Sequence, residues 1–130
     1  MKMKKQNYII RTKQYVDNCI PEYLKFMNID TMPDFDVDVL KNKSPDLHTS
    51  HKSKVPVIQI PEMYTTLLKE NAKPGIYHEF THIVDHASIL INMPIEQQNK
   101  YLRWYTEYHA TQVQMKKSLK FNSYYDEYHF

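Results

Sequence analysis

The sequence predicts an α+β domain, and three observations support this fold class. Two short segments, 34–40 and 55–61, have the alternation or the β-branched content of strands. Apolar residues recur at helical spacing both before and after these segments. Strands and helices are therefore grouped rather than alternating, which is typical of α+β folds, and 130 residues fit one domain.

The N-terminal segment, residues 1–30, is predicted to be helical. Its apolar residues lie near helical spacing: Ile9, Val16, Ile20 and Leu24. Because Pro21 cannot donate the helical hydrogen bond, we expect either one broken helix or two short helices that separate at Ile20.

Residues 34–61 are predicted to hold the strands. Polar and apolar residues alternate strictly in DFDVDVL (34–40), as in a half-buried strand. VPVIQIP (55–61) is rich in β-branched residues, and Pro56 indicates an edge strand. The polar segment between them, 41–54, predicts a loop with a ragged strand at its far end.

Helices are predicted for most of the remaining chain. A short helix is expected at 62–71, and Pro74 suits the first turn of a helix over 74–92. A long helix is expected at 95–120. The tyrosine-rich tail, 121–130, is compatible with a cover over a cleft, a partner-binding segment, or a packed or frayed end.

The composition excludes several functions. A single glycine, Gly75, rules out glycine-rich phosphate loops and dinucleotide fingerprints. The net charge of +2 is too small to indicate nucleic acid, and the single Cys19 cannot form an internal disulfide. Since neither an export signal nor an apolar run of about 18 residues is present, we expect a cytoplasmic protein with no nucleic-acid or membrane partner.

The stretch HEFTHIVDH, residues 78–86, concentrates metal-ligand side chains on one predicted helix. On a helical projection the apolar residues form one stripe: Ile76, Phe80, Ile83, Val84, Ala87, Leu90 and Ile91. Opposite that stripe, on the exposed side, we expect His78, Glu79 and His82. Two histidines four residues apart turn both imidazoles toward one point, and HExxH is the pattern of zinc peptidases. The alternative is a solvated polar face that is rich in histidine by chance.

A catalytic zinc site needs three protein ligands and one open position. The candidates for the third ligand are Asp85, His86, Glu96, Glu107 and His109. Axial offset along the same helix disfavours Asp85 and permits His86. Glu107 and His109 lie about 200° apart on the last helix, so they cannot both reach one metal. His109 lies on an apolar stripe and is predicted to be a packed, hydrogen-bonded histidine.

HEFTH, followed 25 residues after His82 by the glutamate of EYHAT, resembles the gluzincin arrangement, in which a second helix supplies the third ligand. HEFTHIVD is similar to the active-site helix of thermolysin-type peptidases. The small size and the upstream pair of strands resemble the ImmA/IrrE-like peptidases of phages and mobile elements. The resemblance implies a zincin-like minimal domain, with a small sheet packed on the active-site helix. It also implies one zinc ion held by His78, His82 and Glu107, with Glu79 as general base.

Other site residues are predicted with less support. Asp85 is expected either to fix the tautomer of a ligating imidazole or to be an ordinary surface aspartate. His86 and Thr111 are further candidates to support the ligands. An extended substrate is expected along the edge of the second strand, at Val57 and Gln59, as edge strands bind substrate in zincins.

A donor that stabilises the oxyanion is also expected, and six side chains qualify: Tyr77, Tyr101, Arg103, Tyr105, His109 and His129. Trp104 is expected in the core, with a shield around the metal as the alternative. His48 and His51 are expected in a solvated loop, and they are spaced for a metal only if that loop folds inward.

Together these residues predict a zinc-dependent endopeptidase that acts on a protein or peptide substrate. The resemblance suggests a regulatory protein of a phage or mobile element as that substrate. Zinc is the default ion for two histidines and a glutamate, although manganese, nickel and cobalt also fit. The alternative is a non-catalytic protein-interaction domain that retains the zincin fold. Glu79 argues against it, because a structural zinc site does not need a general base.

Overall fold

The computed structural model describes residues 2–41, 47–52, 54–62, 69–89 and 92–127. Its elements in chain order are α1 (Lys2–Met27), β1 (Asp36–Leu40), β2 (His48–Ser50), β3 (Val57–Pro61), α2 (Lys73–Ser88), α3 (Ile95–Tyr101) and α4 (Glu107–Ser118). A 3-10 turn (Glu70–Ala72) precedes α2, and a π-helical turn (Leu102–Thr106) joins α3 to α4. These ranges combine four α-helices with a three-stranded mixed sheet, which confirms the α+β class. No helix within them is long and apolar enough to cross a membrane.

The first helix runs without a break through Pro21, so the predicted separation at Ile20 is wrong. Side chains on both sides of the proline, including Cys19 and Tyr23, are buried in the same core. Packing of that continuous face outweighs the one helical hydrogen bond that proline removes. The helix ends at Met27, and the next residue, Asn28, adopts a left-handed conformation with φ of 56°, as residues just past a helix end often do.

The sheet has the strand order β1-β3-β2, with β1 parallel and β2 antiparallel to β3. Both predicted strands are present, and the ragged strand predicted before residue 54 forms β2. However, β3 is the central strand, so its predicted edge position is wrong. Pro56 does not conflict with this position because it lies just before the strand and contributes only its carbonyl oxygen, which accepts from the Asp36 N–H at 2.8 Å.

The core lies where the sheet and α1 meet the apolar side of α2. Ile58 and Ile60 of β3 are fully buried there. Tyr23 of α1 packs edge-on against the rings of Tyr77 and Phe80, with centroids 5.2 and 5.1 Å apart. Edge-to-face pairs of this kind add stability beyond the area they bury. The core therefore fixes the rotation of α2 about its own axis.

The helices after the sheet differ from the prediction in their ends and regularity. Helix α2 ends at Ser88 instead of residue 92, and Leu90 and Ile91 lie outside the described residues. The helix predicted over 95–120 is divided by the π-helical turn. Most of the helix predicted at 62–71 also lies outside the described residues.

The described part of the tail is packed rather than frayed. The Tyr124 N–H donates to the Phe26 carbonyl at 2.9 Å, which ties the tail to α1. The Lys116 ammonium donates to the carbonyls of Tyr124 and Asp126 at 2.6 and 2.9 Å. These bonds hold the tail against both α1 and α4.

Candidate metal centre

Helix α2 and the first turn of α4 bring two histidines and a glutamate to one point. His78 and His82 are one helical turn apart, and their Nε2 atoms are 3.2 Å from each other. The two carboxylate oxygens of Glu107 lie 3.1 Å from His78 Nε2 and 3.0 Å from His82 Nε2. One ligand atom from each residue therefore faces a common centre.

This arrangement fits a tetrahedral zinc ion. Two ligand atoms at about 2.1 Å from such an ion are separated by about 3.4 Å, close to the 3.0 to 3.2 Å found here. The donors are two imidazoles and one carboxylate, the set that holds catalytic zinc with a fourth position open. Burial, followed by the charge of His78, lowers the pKa of His82, which favours the neutral imidazole that a metal requires.

The position of Glu107 follows from the packing of α4. Thr106, Ala110 and Val113 are buried and form the side of the helix that packs on the protein interior. Glu107 borders this stripe, and its side chain is 55% exposed. The π-helical turn ends directly before it, and such turns often occur at functional sites because they shift the helical register. The register of α4 thus places Glu107 at the rim, opposite the two histidines.

Glu79 is buried, contrary to its predicted place on an exposed face, with only 5% of its surface accessible. The reason is that β2 covers this part of α2. The Thr49 hydroxyl donates to Glu79 Oε1 at 3.0 Å. Burial raises the pKa of the Glu79 carboxyl to about 8, and the hydrogen bond from Thr49 opposes that rise. A carboxyl group with a pKa near neutral is suited to proton transfer.

The sequence pattern did not indicate Thr49, and it predicted a solvated loop for His51. These two residues form what we call the β2 wall. His51 directly follows β2, and its side chain lies against α2. Its ring stacks on His86, with centroids 4.3 Å apart and planes tilted by 21°. The solvated-loop prediction is therefore wrong for His51, while His48 is exposed as expected.

The stacked pair does not compete for the metal. Stacked rings direct their in-plane lone pairs along nearly parallel planes, not toward one ion. His86 is accordingly absent from the ligand group found in the described residues. Burial, followed by the charges of His86 and His82, lowers the pKa of His51 to about 4, so this imidazole is neutral beside the centre.

The opposite side of the centre is formed by Glu107 and His109, which we call the α4 wall. His109 Nδ1 is 2.7 Å from Asp85 Oδ2, and the Asp85 side chain is 4% exposed. Asp85 is thus a buried residue and not an ordinary surface aspartate. Its carboxylate holds the imidazole of His109, whereas the prediction placed it against a ligating imidazole. His109 is packed and hydrogen-bonded, as expected.

A cavity of about 350 Å³ opens beside the centre and toward the N-terminus of α2. His78 and Glu79 form part of its lining, together with Leu47, Ile60, Gly75 and Gln114. The walls are apolar near the sheet and polar near α4. A side chain of moderate size could occupy this space next to the ligand group.

The remaining predicted residues are not gathered at the centre. Val57 and Gln59 pair with β1 on one side and with β2 on the other, so no additional strand can bind along them and that prediction is wrong. Thr111 is half-buried one turn after Glu107. Trp104 is 77% exposed and is not the core residue that was expected.

The candidate oxyanion donors lie in different environments. Tyr77 is fully buried in the core, and His109 is held by Asp85. Tyr105 is exposed, with its ring 5.9 Å from that of His109. The side chains of Tyr101, Arg103 and His129 lie outside the described ones.

Comparison with known proteins identified no relative of this chain. No family model matches the chain, and no curated protein or solved structure matches it significantly. The interpretation of the centre therefore depends on its own residues and geometry.

Proposed function

We propose that this protein is a zinc-dependent endopeptidase of the gluzincin type, with a zincin-like minimal domain similar to the ImmA/IrrE-like peptidases. The observation that carries the proposal is the convergence of His78, His82 and Glu107 with a buried carboxyl group, Glu79, beside them. A purely structural zinc site has four protein ligands. The described residues supply three ligands here, which leaves the fourth position for a water molecule.

In this mechanism His78, His82 and Glu107 would hold the ion, which when bound would supply Lewis acidity and lower the pKa of a water molecule toward 7. Glu79 accepts one proton from that water as its oxygen attacks the carbonyl carbon of the scissile peptide. Glu79 then gives the proton to the amide nitrogen, the C–N bond breaks, and the amine leaves. The raised pKa of the Glu79 carboxyl matches a group that both takes and releases a proton near neutral pH.

The substrate is expected in the cleft between the β2 wall and the α4 wall. Among the described strands β2 lies at the edge of the sheet, so an extended peptide would pair with its outer side, in place of the central β3. The cavity beside Glu79 would then accept one substrate side chain. A protein substrate with an extended, exposed segment suits this arrangement best.

The proposal is tested with zinc-loaded wild type and Glu79→Gln on a quenched-fluorescent peptide library. We expect the variant to retain one zinc ion and to lose at least about 10²-fold in hydrolysis rate, because proton transfer contributes about 10² to 10⁴. Glu127→Gln, in the exposed tail, is the matched control and should retain full activity. Equal rates for wild type and Glu79→Gln would contradict the mechanism.

A second candidate, a non-catalytic interaction domain that retains the zincin fold, is favoured by one observation. Exposed apolar side chains lie on one side of α4 and its preceding turn: Trp104, Tyr108, Met115 and Leu119. Exposed apolar patches often mark protein contacts. This candidate predicts zinc binding without hydrolysis of any library peptide, and a partner bound equally well by wild type and Glu79→Gln.

A further inference from the structure

The Thr49 side chain and Glu79 form a buried hydrogen bond between the sheet and the active-site helix. The two residues are 30 positions apart in sequence, and each is almost completely buried. The hydroxyl donates to Oε1 at 3.0 Å, while the Glu79 side chain also lines the cavity beside the metal centre. The sheet thus holds the carboxylate through Thr49, whose backbone N–H also donates to it.

Glu79 needs such a partner for a physical reason. A glutamate side chain has three rotatable bonds and loses considerable conformational entropy when it is fixed in one geometry. A general base must nevertheless be held within hydrogen-bond reach of the proton it accepts, and small displacements can lower a rate about 10²-fold. In the described part of the chain, Thr49 makes the one side-chain hydrogen bond to this carboxyl group.

The place of Thr49 in the fold makes it a rigid support. It is the middle residue of β2, and its backbone pairs with Ile58 of the central strand, whose side chain is fully buried. The position of the hydroxyl is therefore set by the sheet and not by a free loop. His51, which directly follows β2, stacks on His86 of α2 and adds a second contact between this segment and the helix.

We propose that Thr49 is a positioning residue that orients Glu79 for proton transfer; this inference rests on the proposed peptidase function. Among the described residues, the Thr49 hydroxyl bonds to Glu79 and Thr49 is not part of the group that could hold the ion. Its removal should therefore lower kcat while KM and zinc content stay close to those of wild type. A residue that only supports the fold would not produce this separation.

Two substitutions test the role of the hydroxyl. Thr49→Val keeps the branched shape that a strand favours and removes the donor, whereas Thr49→Ser keeps the donor and removes a methyl group. We expect kcat to fall about 10 to 100-fold in Thr49→Val, the usual range for losing a supporting hydrogen bond at a metal site. We expect Thr49→Ser to remain within a few-fold of wild type. Zinc content and thermal unfolding of each variant verify that it is folded and loaded.

Crystal structures of the zinc-loaded variants provide a second readout that is independent of activity. Glu79 Oε1 should stay within hydrogen-bond distance of residue 49 in wild type and Thr49→Ser, and should leave that position in Thr49→Val. Unchanged kcat in Thr49→Val, or an unmoved Glu79 carboxylate, would overturn the positioning role even if Glu79→Gln is inactive. A zinc-loaded wild type that hydrolyses no peptide would instead overturn the peptidase function, and the catalytic role of Thr49 with it.

Discussion

The two walls of the cleft differ in how they are built and in how well the sequence predicts them. The α4 wall, Glu107 and His109, comes from a helix that follows α2. Helical spacing showed that these two residues cannot both reach one metal, and the gluzincin resemblance selected Glu107 as the proposed ligand. The β2 wall, Thr49 and His51, comes from a three-residue strand and the residue that follows it, where the sequence predicted only a loop with a ragged strand at its far end. The geometry of a helix is set by hydrogen bonds within the helix, whereas the position of a short strand is set by the strand with which it pairs.

The largest change in stability is expected when the α4 wall loses the contact that Asp85 makes with His109. Asp85→Ala leaves the largely buried His109 imidazole without its hydrogen-bond partner, and such a loss costs up to about 3 kcal/mol. We expect that loss in the free energy of unfolding, measured by chemical denaturation of the metal-free protein.

Asp17→Ala, at an exposed position on α1, is the matched control and should change stability by less than about 0.5 kcal/mol. If Asp85→Ala were as stable as this control, the pair would not hold α4 against α2.

The comparison also indicates which parts of the fold and site could be predicted from the sequence. Spacing along one helix identified His78, His82 and the apolar side of α2, because helical geometry is local. The burial of Glu79 and Asp85 was missed, because the projection assigns polar residues to solvent and cannot include a strand or a helix that covers them. Pro56 gave a wrong edge prediction because its effect depends on which strands lie beside it.

A smaller effect is expected from Glu79, which is hydrogen-bonded to the β2 wall. It concerns the pH dependence of the free energy of unfolding. Burial raises the pKa of Glu79 to about 8 from its model-peptide value near 4.5, so the folded state retains a proton that the unfolded state has lost. Stability should therefore fall as pH rises between these values. The lowered pKa of His51, about 4, has the opposite effect, but only below its unfolded value of about 6.5.

The effect of Glu79 should consequently be visible between about pH 6.5 and 8 in metal-free protein, at up to about 1.4 kcal/mol per pH unit. Thermal unfolding in the presence of a chelator measures it. Glu79→Gln should remove the decline, whereas Glu127→Gln should retain it. A decline that persists in Glu79→Gln would assign the effect to another group.

The smallest effect is expected on the zinc affinity of a His86 variant, because His86 stacks on His51 and is not one of the proposed ligands. His86→Gln should leave zinc affinity within about tenfold of wild type, the lower end of what supporting residues contribute at metal sites. His82→Gln should weaken affinity far more, because it removes a ligand. Competition with a chromogenic chelator provides both values, and comparable losses in the two variants would make His86 part of the centre.

The central claim is that α2 and α4 together form one three-ligand metal site. Elemental mass spectrometry of wild type and Glu107→Ala, prepared side by side, tests it most directly. We predict one zinc ion per wild-type chain and little or none in the variant, because two histidines alone do not complete the site. Full zinc retention in Glu107→Ala, or no metal in wild type even after reconstitution, would contradict the account.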